Sequence, residues 1–273
     1  MFEVTLAKVW DGEQDPTGWY YSEKLDGVRA YWDGSKLWSR TGNEFFPPKE
    51  WLAGFPTTPL DGELYMGRGK FSECSGIVRR LDGGNLWKDI KFKVFDIPNV
   101  GGNFKHRYSY YTSLISNINS TNSTNLQPVI QLVCYSKAQL EIALDNIILS
   151  GGEGLILRDP DAEYINGRTD KLLKVIKKYR LEAKVVGHTP GKGKYSNVMG
   201  ALEVELENGN KFSVGTGFSD VERTNPPPIG CYVTIEYKTL SPKKGIPREP
   251  AFVGIRYDFD GFNKATLKSK YKF

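Results

Sequence analysis

Apolar and polar positions alternate in short runs along most of this chain, and Gly, Asn, Asp and Pro separate the runs. Such a pattern predicts strands joined by turns. Residues 19–32 predict two strands around Asp26-Gly27, and residues 36–38 continue the series. Leu60–Tyr65 and residues 91–97 alternate with the same period of two. Two stretches switch to helical spacing. Phe71, Cys74 or Ser75, and Val78 predict a helix over residues 71–81. Leu140, Leu144, Ile147 and Ile148 form an apolar stripe over Lys137–Leu149, with Ser136 as the N-cap and Gly151-Gly152 as the stop. The polar run 116–125 between them predicts an exposed loop, and its two Asn-x-Thr sequons are incidental to that bias.

The character changes after about Leu181. Residues 183–188, 201–206, 211–214, 232–237 and 252–256 predict five short strands, with Asn208-Gly209 as a hairpin signal. Five strands with little helix suit a small barrel, and an OB-fold leads. The expected class is therefore α+β. A first domain of antiparallel sheets with helices covers residues 1–181, and an all-β OB-fold domain covers 182–273. The boundary follows the basic stretch 174–180, and no internal repeat is present.

Composition excludes more than it selects. The 273 residues are 39% hydrophobic and 25% charged, which is ordinary for a globular protein with a sizeable core. A net charge of +5 permits an anionic partner without requiring one. No apolar run is long enough to span a bilayer. The N-terminus lacks the basic flank and apolar stretch of a signal peptide, so a cytoplasmic location is expected, with the periplasm open where a leader has been removed. Cys74, Cys134 and Cys231 are scattered and odd in number, which suits reduced thiols. With no Cys-x-x-Cys pair and with His106 and His188 isolated, neither a structural zinc site nor a Ser-His-Asp set is expected. Residues 187–194 superficially resemble a phosphate-binding loop, but the spacing fails and they read as a basic turn.

The segment Glu23-Lys24-Leu25-Asp26-Gly27-Val28-Arg29 carries the chemistry. A lysine attacks only as the free amine; a neighbouring carboxylate such as Asp26 opposes that form, whereas an arginine or a divalent cation favours it. Asp-Gly is also a common hairpin turn, so the segment alone decides nothing. Five further segments fit one reaction. Ser39-Arg40-Thr41-Gly42 offers a cation in a tight turn. Asp61-Gly62-Glu63 sets a carboxylate in an apolar strand, and Glu153-Gly154 sets another at a strand start. In Lys91-Phe92-Lys93-Val94-Phe95-Asp96, alternation turns Phe95 to the face opposite Phe92 and Val94, where a ring can stack on a base. Lys174, Lys177 and Lys178 supply ammonium groups. Singly, the carboxylates read as solvated strand ends, Phe95 as core and the lysines as a solvated face. In this order they make a nucleotide site, with a base to stack, a ribose to hydrogen-bond, a metal to hold and a phosphate to neutralise.

The ordered set resembles the covalent nucleotidyltransferases, specifically the small ATP-dependent DNA ligases of bacteria, phages and viruses. Lys24 to Arg29 is similar to the family's first motif; Ser39-Arg40-Thr41-Gly42, Asp61-Gly62-Glu63, Val94-Phe95-Asp96, Glu153-Gly154-Leu155-Ile156 and Leu172-Leu173-Lys174 resemble those that follow. Residues 245–252 with Arg256 resemble the last motif, on the OB domain. Residues 71–80 and 101–107 look like its connecting segments. Two departures stand out. The late lysines usually lie two apart, whereas Lys174 and Lys177 lie three apart, and Arg256-Tyr257-Asp258 stands where many relatives continue with a basic residue. No extra N-terminal DNA-binding domain is expected.

The resemblance implies sealing of 5′-phosphate/3′-hydroxyl nicks in duplex DNA through lysyl-AMP and DNA-adenylate, in repair, replication or recombination. It implies ATP and Mg²⁺, with Mn²⁺ as a substitute, and no more than a monomer. Lys24 becomes the nucleophile, and Asp26 supports metal or water. Arg29 and Glu63 hold the ribose, Arg40 a phosphate, and Phe95 the adenine. Glu153, with Glu63, holds metal; Lys174 contacts the α-phosphate with Lys177 as companion. Arg248 and Arg256 orient pyrophosphate as the OB domain closes. Arg79, Arg80, Lys192 and Lys194 are the candidates for DNA phosphates. Two alternatives remain: an RNA-directed nucleotidyltransferase (an RNA ligase or capping-type enzyme), and a non-catalytic OB-type nucleic-acid binder.

Overall fold

Alternating strands need partners, and here they find them in two sheets that share one unit of the chain. The computed structural model describes residues 3–122, 124–241 and 244–257, so Asp258 of the last motif lies outside the described residues. The chain divides into two units, Met1–Ile176 and Lys177–Phe273. The first unit contains β1 (Thr5–Val9), β2 (Tyr20–Glu23), β3 (Val28–Trp32), β4 (Leu37–Ser39), β5 (Glu44–Phe45), β6 (Leu60–Tyr65), β7 (Lys91–Asp96), β8 (Leu126–Pro128), β9 (Leu132–Val133), β10 (Leu155–Arg158) and β11 (Gly167–Val175). One sheet has the order β1-β11-β10-β2-β9 and the other β5-β4-β3-β6-β7-β8. The sheets are mixed and not purely antiparallel, because β1 pairs with β11 and β7 with β8 in parallel. A parallel neighbour needs a long crossover; between β7 and β8 it is a helix.

Asp26-Gly27 is no hairpin. β2 pairs with β9 and β10, whereas β3 pairs with β4 and β6, so the chain crosses between sheets at this dipeptide. Gly27 is needed for close approach: a Cβ there would lie 2.3 Å from the Leu64 carbonyl oxygen. The true hairpin follows at Asp33-Gly34, where Asp33 Oδ1 accepts from the Ser35 and Lys36 N–H groups.

Three helices of this unit are α1 (Phe71–Val78), α2 (Phe104–Thr121) and α3 (Lys137–Leu149). Ser136 caps α3 through the Gln139 N–H at 3.1 Å, as expected. Helix α1 stops short of Leu81, with Arg79 as its C-cap and Arg79, Arg80 and Leu81 exposed, so that no packing holds a further turn. The loop expected over residues 116–125 is instead largely helix, for α2 runs to Thr121. Its buried residues, Phe104, Arg107, Tyr111 and Ile115, recur at helical spacing. Asn103 caps it, and the Ser120 and Thr121 hydroxyls bond back to the Asn117 and Ile118 carbonyls. The polar run is thus the solvent side of a helix held by four buried side chains. Ala30, Trp32, Leu60, Leu64, Phe92 and Val94 of β3, β6 and β7 complete this core.

A buried charge cluster joins the two sheets. Asp96 at the end of β7 accepts from Arg107 Nε of α2 at 2.8 Å, from Arg158 Nη1 of β10, and from the Ile97 N–H at 2.9 Å. All three side chains are at most 8% accessible.

The second unit contains β12 (Tyr179–Pro190), β13 (Met199–Glu205), β14 (Lys211–Val214), a short α4 (Asp220–Thr224), β15 (Tyr232–Tyr237), β16 (Thr239–Leu240), β17 (Pro247–Arg248) and β18 (Ala251–Ile255). The main sheet has the order β14-β13-β12-β15-β18, and a parallel bridge from Thr216 to Ala251 closes it. Closure brings Gly217 (φ +92°) so near that a Cβ would meet the Phe252 carbonyl oxygen at 2.2 Å. Inward residues Ala183, Val185, Leu202, Val204, Val214, Val233 and Ile235 fill this small barrel. No described helix is long and apolar enough to cross a membrane.

Arg107 is expected to be a stability residue. Breaking a buried ion pair from one side costs about 3–5 kcal/mol. Arg107→Ala should lose about that much in urea unfolding, whereas Lys36→Ala, which breaks an exposed pair with Glu44, should change stability by about 0–1 kcal/mol. Equal small losses would mean that Arg158 alone satisfies Asp96.

Candidate active site

The strand registers bring the sequence-predicted residues of the first unit together. Glu23 pairs with Leu155 across β2 and β10, and the Lys24 N–H donates to the Gly154 carbonyl at 2.8 Å. Lys24 and Glu153, 129 positions apart, therefore meet at adjacent strand ends, with Nζ 2.5 Å from Oε2. Gly154 (φ +156°) makes the turn there, where a Cβ would lie 2.5 Å from the Val175 carbonyl oxygen. On the other sheet, Arg29 pairs with Glu63 across β3 and β6. The β6–β7 register shifts between Asp61 and Gly62, which leaves Phe95 as the unpaired residue of a bulge. Phe92, Val94 and Asp96 are buried, and Phe95 turns the other way.

A cavity of about 300 Å³ opens here. The sheet of β2, β10 and β11 supplies Ser22, Ile156, Arg158, Leu172 and Lys174, with Lys24 just beyond β2, and the other sheet supplies Arg29, Glu63 and Phe95, with Arg40 beside it. The volume is at the lower end of small-molecule sites. Walls of Phe95, Ile156, Leu172 and Val129 are apolar, while Lys24, Arg29, Arg40, Arg168 and Lys174 give it a positive lining. An anionic ligand with a flat apolar part suits such a site.

Two of these cations, Lys24 and Arg29, have carboxylate partners. Arg29 donates Nε and Nη2 to the two oxygens of Asp61, at 3.0 and 2.6 Å, and Nη1 to the Thr5 carbonyl at 2.8 Å. Burial works against this cation, but the Asp61 charge and hydrogen bonds outweigh it and raise its pKa. The guanidinium also lies 5.0 Å over the Phe95 ring. For Glu63, desolvation dominates and pushes its pKa to about 8, against the pull of Arg29, Lys24 and the Gly27 N–H. Glu23, next to Lys24, is held by Arg68 through two hydrogen bonds of 2.7 and 2.9 Å, and Arg68 also reaches the Ser150 carbonyl.

The remaining predicted residues have the following settings, each within its own unit. Asp26 is exposed and does not line the cavity. Arg79 and Arg80 are exposed after α1. In the second unit Lys177 is exposed, 5.9 Å over the Tyr179 ring, and Lys192 and Lys194 are exposed near Tyr195. Arg248 is exposed in β17, and Arg256 pairs with Glu182. Sequence reasoning missed Asp61, Tyr164, Gln131, Arg158 and Arg168. Asp61 was within reach, since a spacing of two sets it on the face of Glu63. Tyr164, whose hydroxyl donates to Asp61 at 2.9 Å, sits in an irregular stretch with no such signal. No group of three or more His, Cys, Asp or Glu side chains that could hold a metal occurs among the described residues.

Known proteins resemble this chain in sequence and fold. Residues 5–177 match the family described as ATP dependent DNA ligase domain, and residues 190–256 match the DNA ligase OB-like domain. A curated DNA ligase from Haemophilus influenzae is 37% identical over 231 residues, covering 85% of this chain and 84% of its own. A solved Lig E DNA ligase superposes with a TM-score of 0.84 at 36% identity, covering 94% of this chain and all of its own. The adenylate form of Chlorella virus DNA ligase shares the fold, with a TM-score of 0.55 at 24% identity over 94% of this chain and 99% of its own. The RNA-directed and non-catalytic alternatives give way to this match. The chain belongs to the ATP-dependent DNA ligase family.

Proposed function

We propose that this ATP-dependent DNA ligase acts as a monomer on nicked duplex DNA, with Lys24 as its nucleophile. The observation that carries the assignment is the Lys24–Glu153 contact of 2.5 Å beside a cavity lined by Arg29, Glu63, Phe95 and Lys174. Lys24 Nζ, once its proton is released, bonds to the α-phosphorus of ATP as the bond to the bridging oxygen breaks and pyrophosphate leaves. The lysyl-AMP passes its AMP to the DNA 5′-phosphate, and the 3′-hydroxyl then displaces AMP. Covalent catalysis divides one difficult condensation into steps between activated phosphates.

Each neighbour has a role in this reading. Phe95 stacks on the adenine, Arg29 and Glu63 hold the ribose, and Arg40 takes a phosphate at the rim. Lys174, with Lys177 as companion, neutralises the α-phosphate. Arg248 and Arg256 orient pyrophosphate, and Asp26 supports water or metal. Arg79, Arg80, Lys192 and Lys194 contact DNA phosphates without reading sequence. Glu63 and Glu153 would hold Mg²⁺, or Mn²⁺ in its place. Two carboxylates without a third ligand suit an ion that keeps several waters and takes the rest of its shell from phosphates. When bound, that ion would offset charge on the transferring phosphoryl group.

Three outcomes test this reading. Lys24→Ala should form no acid-labile adduct with labelled ATP and yet melt like the parent. Lys24→Arg should fail too, because a guanidinium stays protonated. A labelled Lys24→Ala protein would overturn the assignment.

Phe95→Ala should weaken ATP binding by about 1–3 kcal/mol, the worth of base–aromatic stacking. The ring is only half-buried, so its loss should cost less stability than the roughly 3–5 kcal/mol of a core phenylalanine. A large drop in Tm with unchanged ATP affinity would make it plain core.

Glu63 should leave a pH signature on the nucleotide-free protein. Its folded pKa of about 8 stands above the ordinary 4.5, so between these values the folded state binds more protons than the unfolded one. This contribution to stability is complete below pH 4.5 and is lost as pH rises through 8. Denaturant unfolding at pH 5 and pH 8.5 should show a loss in the parent that Glu63→Gln lacks. Parallel losses in both proteins would refute the held proton.

A further inference from the structure

Four buried side-chain atoms have no hydrogen-bond partner among the described residues, and two of them, Gln131 Oε1 and Arg158 Nε, belong to residues that line the cavity. One is an acceptor and the other a donor. Their residues are more than nine-tenths buried, at 8% and 7% accessible. Leaving a buried polar group unpaired costs about 1–3 kcal/mol, so such groups call for a reason.

The neighbours fix which end of the Gln131 amide is left over. The Tyr111 hydroxyl donates to the Val129 carbonyl at 3.0 Å. With its proton committed, the Tyr111 oxygen can only accept from the neighbouring Gln131 side chain, whose influence lowers the tyrosine's pKa against the larger effect of burial. The amide nitrogen therefore faces Tyr111, and Oε1 is the unpaired end. The backbone is equally constrained. The Val129 N–H donates to the Val94 carbonyl at 2.7 Å, the Gln131 N–H donates to Tyr108 Oη at 3.2 Å, and Leu132 pairs with Tyr21. Residues 129–131 thus run from the strand that bears Phe95 to the strand that leads into Lys24.

We propose that Gln131 determines base specificity by accepting a hydrogen bond from the exocyclic amino group of a 6-aminopurine, a role that rests on the adenylyl-transfer reading above. Phe95 and Ile156, one from each sheet, give the base apolar surface. The acceptor Oε1 and the donor Arg158 Nε complement the amino group and ring nitrogen of adenine. A 6-oxopurine brings a carbonyl oxygen to Oε1, so two acceptors meet and neither is satisfied. Sites built to hydrogen-bond a substrate group discriminate strongly against analogues that lack it.

The test compares single-turnover adduct formation on Lys24 with ATP, with purine riboside triphosphate, which lacks the amine, and with ITP, which replaces it by a carbonyl. The parent should use purine riboside triphosphate at least about tenfold less well than ATP, and ITP worse still. Gln131→Met keeps the length without the acceptor, and should bring ATP and purine riboside triphosphate to within about threefold of each other. Equal use of these two by the parent would overturn the proposal without any variant. A Gln131→Met protein that keeps the full preference for ATP would overturn it as well, while lysyl-AMP formation stands. Should that variant not fold, the preference of the parent still decides. Absence of an adduct from the parent with any nucleotide would instead bring down the adenylyl-transfer reading, and this proposal with it.

Discussion

One carboxylate holds the two sheets of the first unit at the separation the cavity needs. Asp96 ends a strand of one sheet, Arg158 ends a strand of the other, and Arg107 comes from the helix that covers the core. Removing these charges from water is expensive, and only a full set of partners offsets it. Asp96 therefore tolerates little displacement, and neither do the elements that carry its arginines. The same strand that ends in Asp96 presents Phe95 on its opposite face one residue earlier. Because side chains alternate, fixing Asp96 in the joint fixes Phe95 in the cavity wall. Arg158 couples the other wall, two residues beyond Ile156 in β10.

Around this joint the chain crosses between sheets where the chemistry is placed. Lys24 leaves the last residue of β2, and Arg29 enters β3 only five positions later, in the other sheet. Gly27 permits the crossing because the Leu64 backbone occupies the place of a Cβ. An alanine there must push apart β6 and the crossing, and Glu63 lies on β6. The spacing from Lys24 to Arg29 is thus a geometric requirement: too short for a turn and return, long enough to step between sheets.

Much of this was legible in the sequence, for stated physical reasons. Period-two alternation located β6 and β7 and turned Phe95 away from the core, and capping with a clean stripe located α3. Helix α2 was not legible, since its stripe of Phe104, Arg107, Tyr111 and Ile115 includes an arginine that only its ion pair makes a core residue. A run of Ser, Asn and Thr then hid its last turns. The parallel strand β1 was equally hidden, because its partner β11 lies about 160 positions away and no local pattern records such a pairing. At the site, residues in strand motifs could be named, whereas Gln131 and Tyr164 stand in irregular segments where only three-dimensional neighbours give them meaning.

The cavity holds its charges in pairs that can be exchanged. Arg29 is satisfied by Asp61 and the Thr5 carbonyl, and Lys24 by Glu153, so two cations of the lining are compensated within the protein. A polyphosphate entering such a site offers each cation a new anionic partner, and the net gain is the difference between two pairings and not the full strength of either. That arrangement limits ground-state affinity. It also means that the carboxylates released from their cations become available together. Of these, Glu153 is on the proposed reading the one that would meet a divalent ion, together with Glu63, so nucleotide and ion favour one another through the Lys24–Glu153 pair. Gln131 Oε1 and Arg158 Nε have no partner to exchange among the described residues. Whatever pairs with them regains a cost the free protein already bears, so on the proposed reading selectivity comes from these groups and charge neutralisation from the exchanged ion pairs.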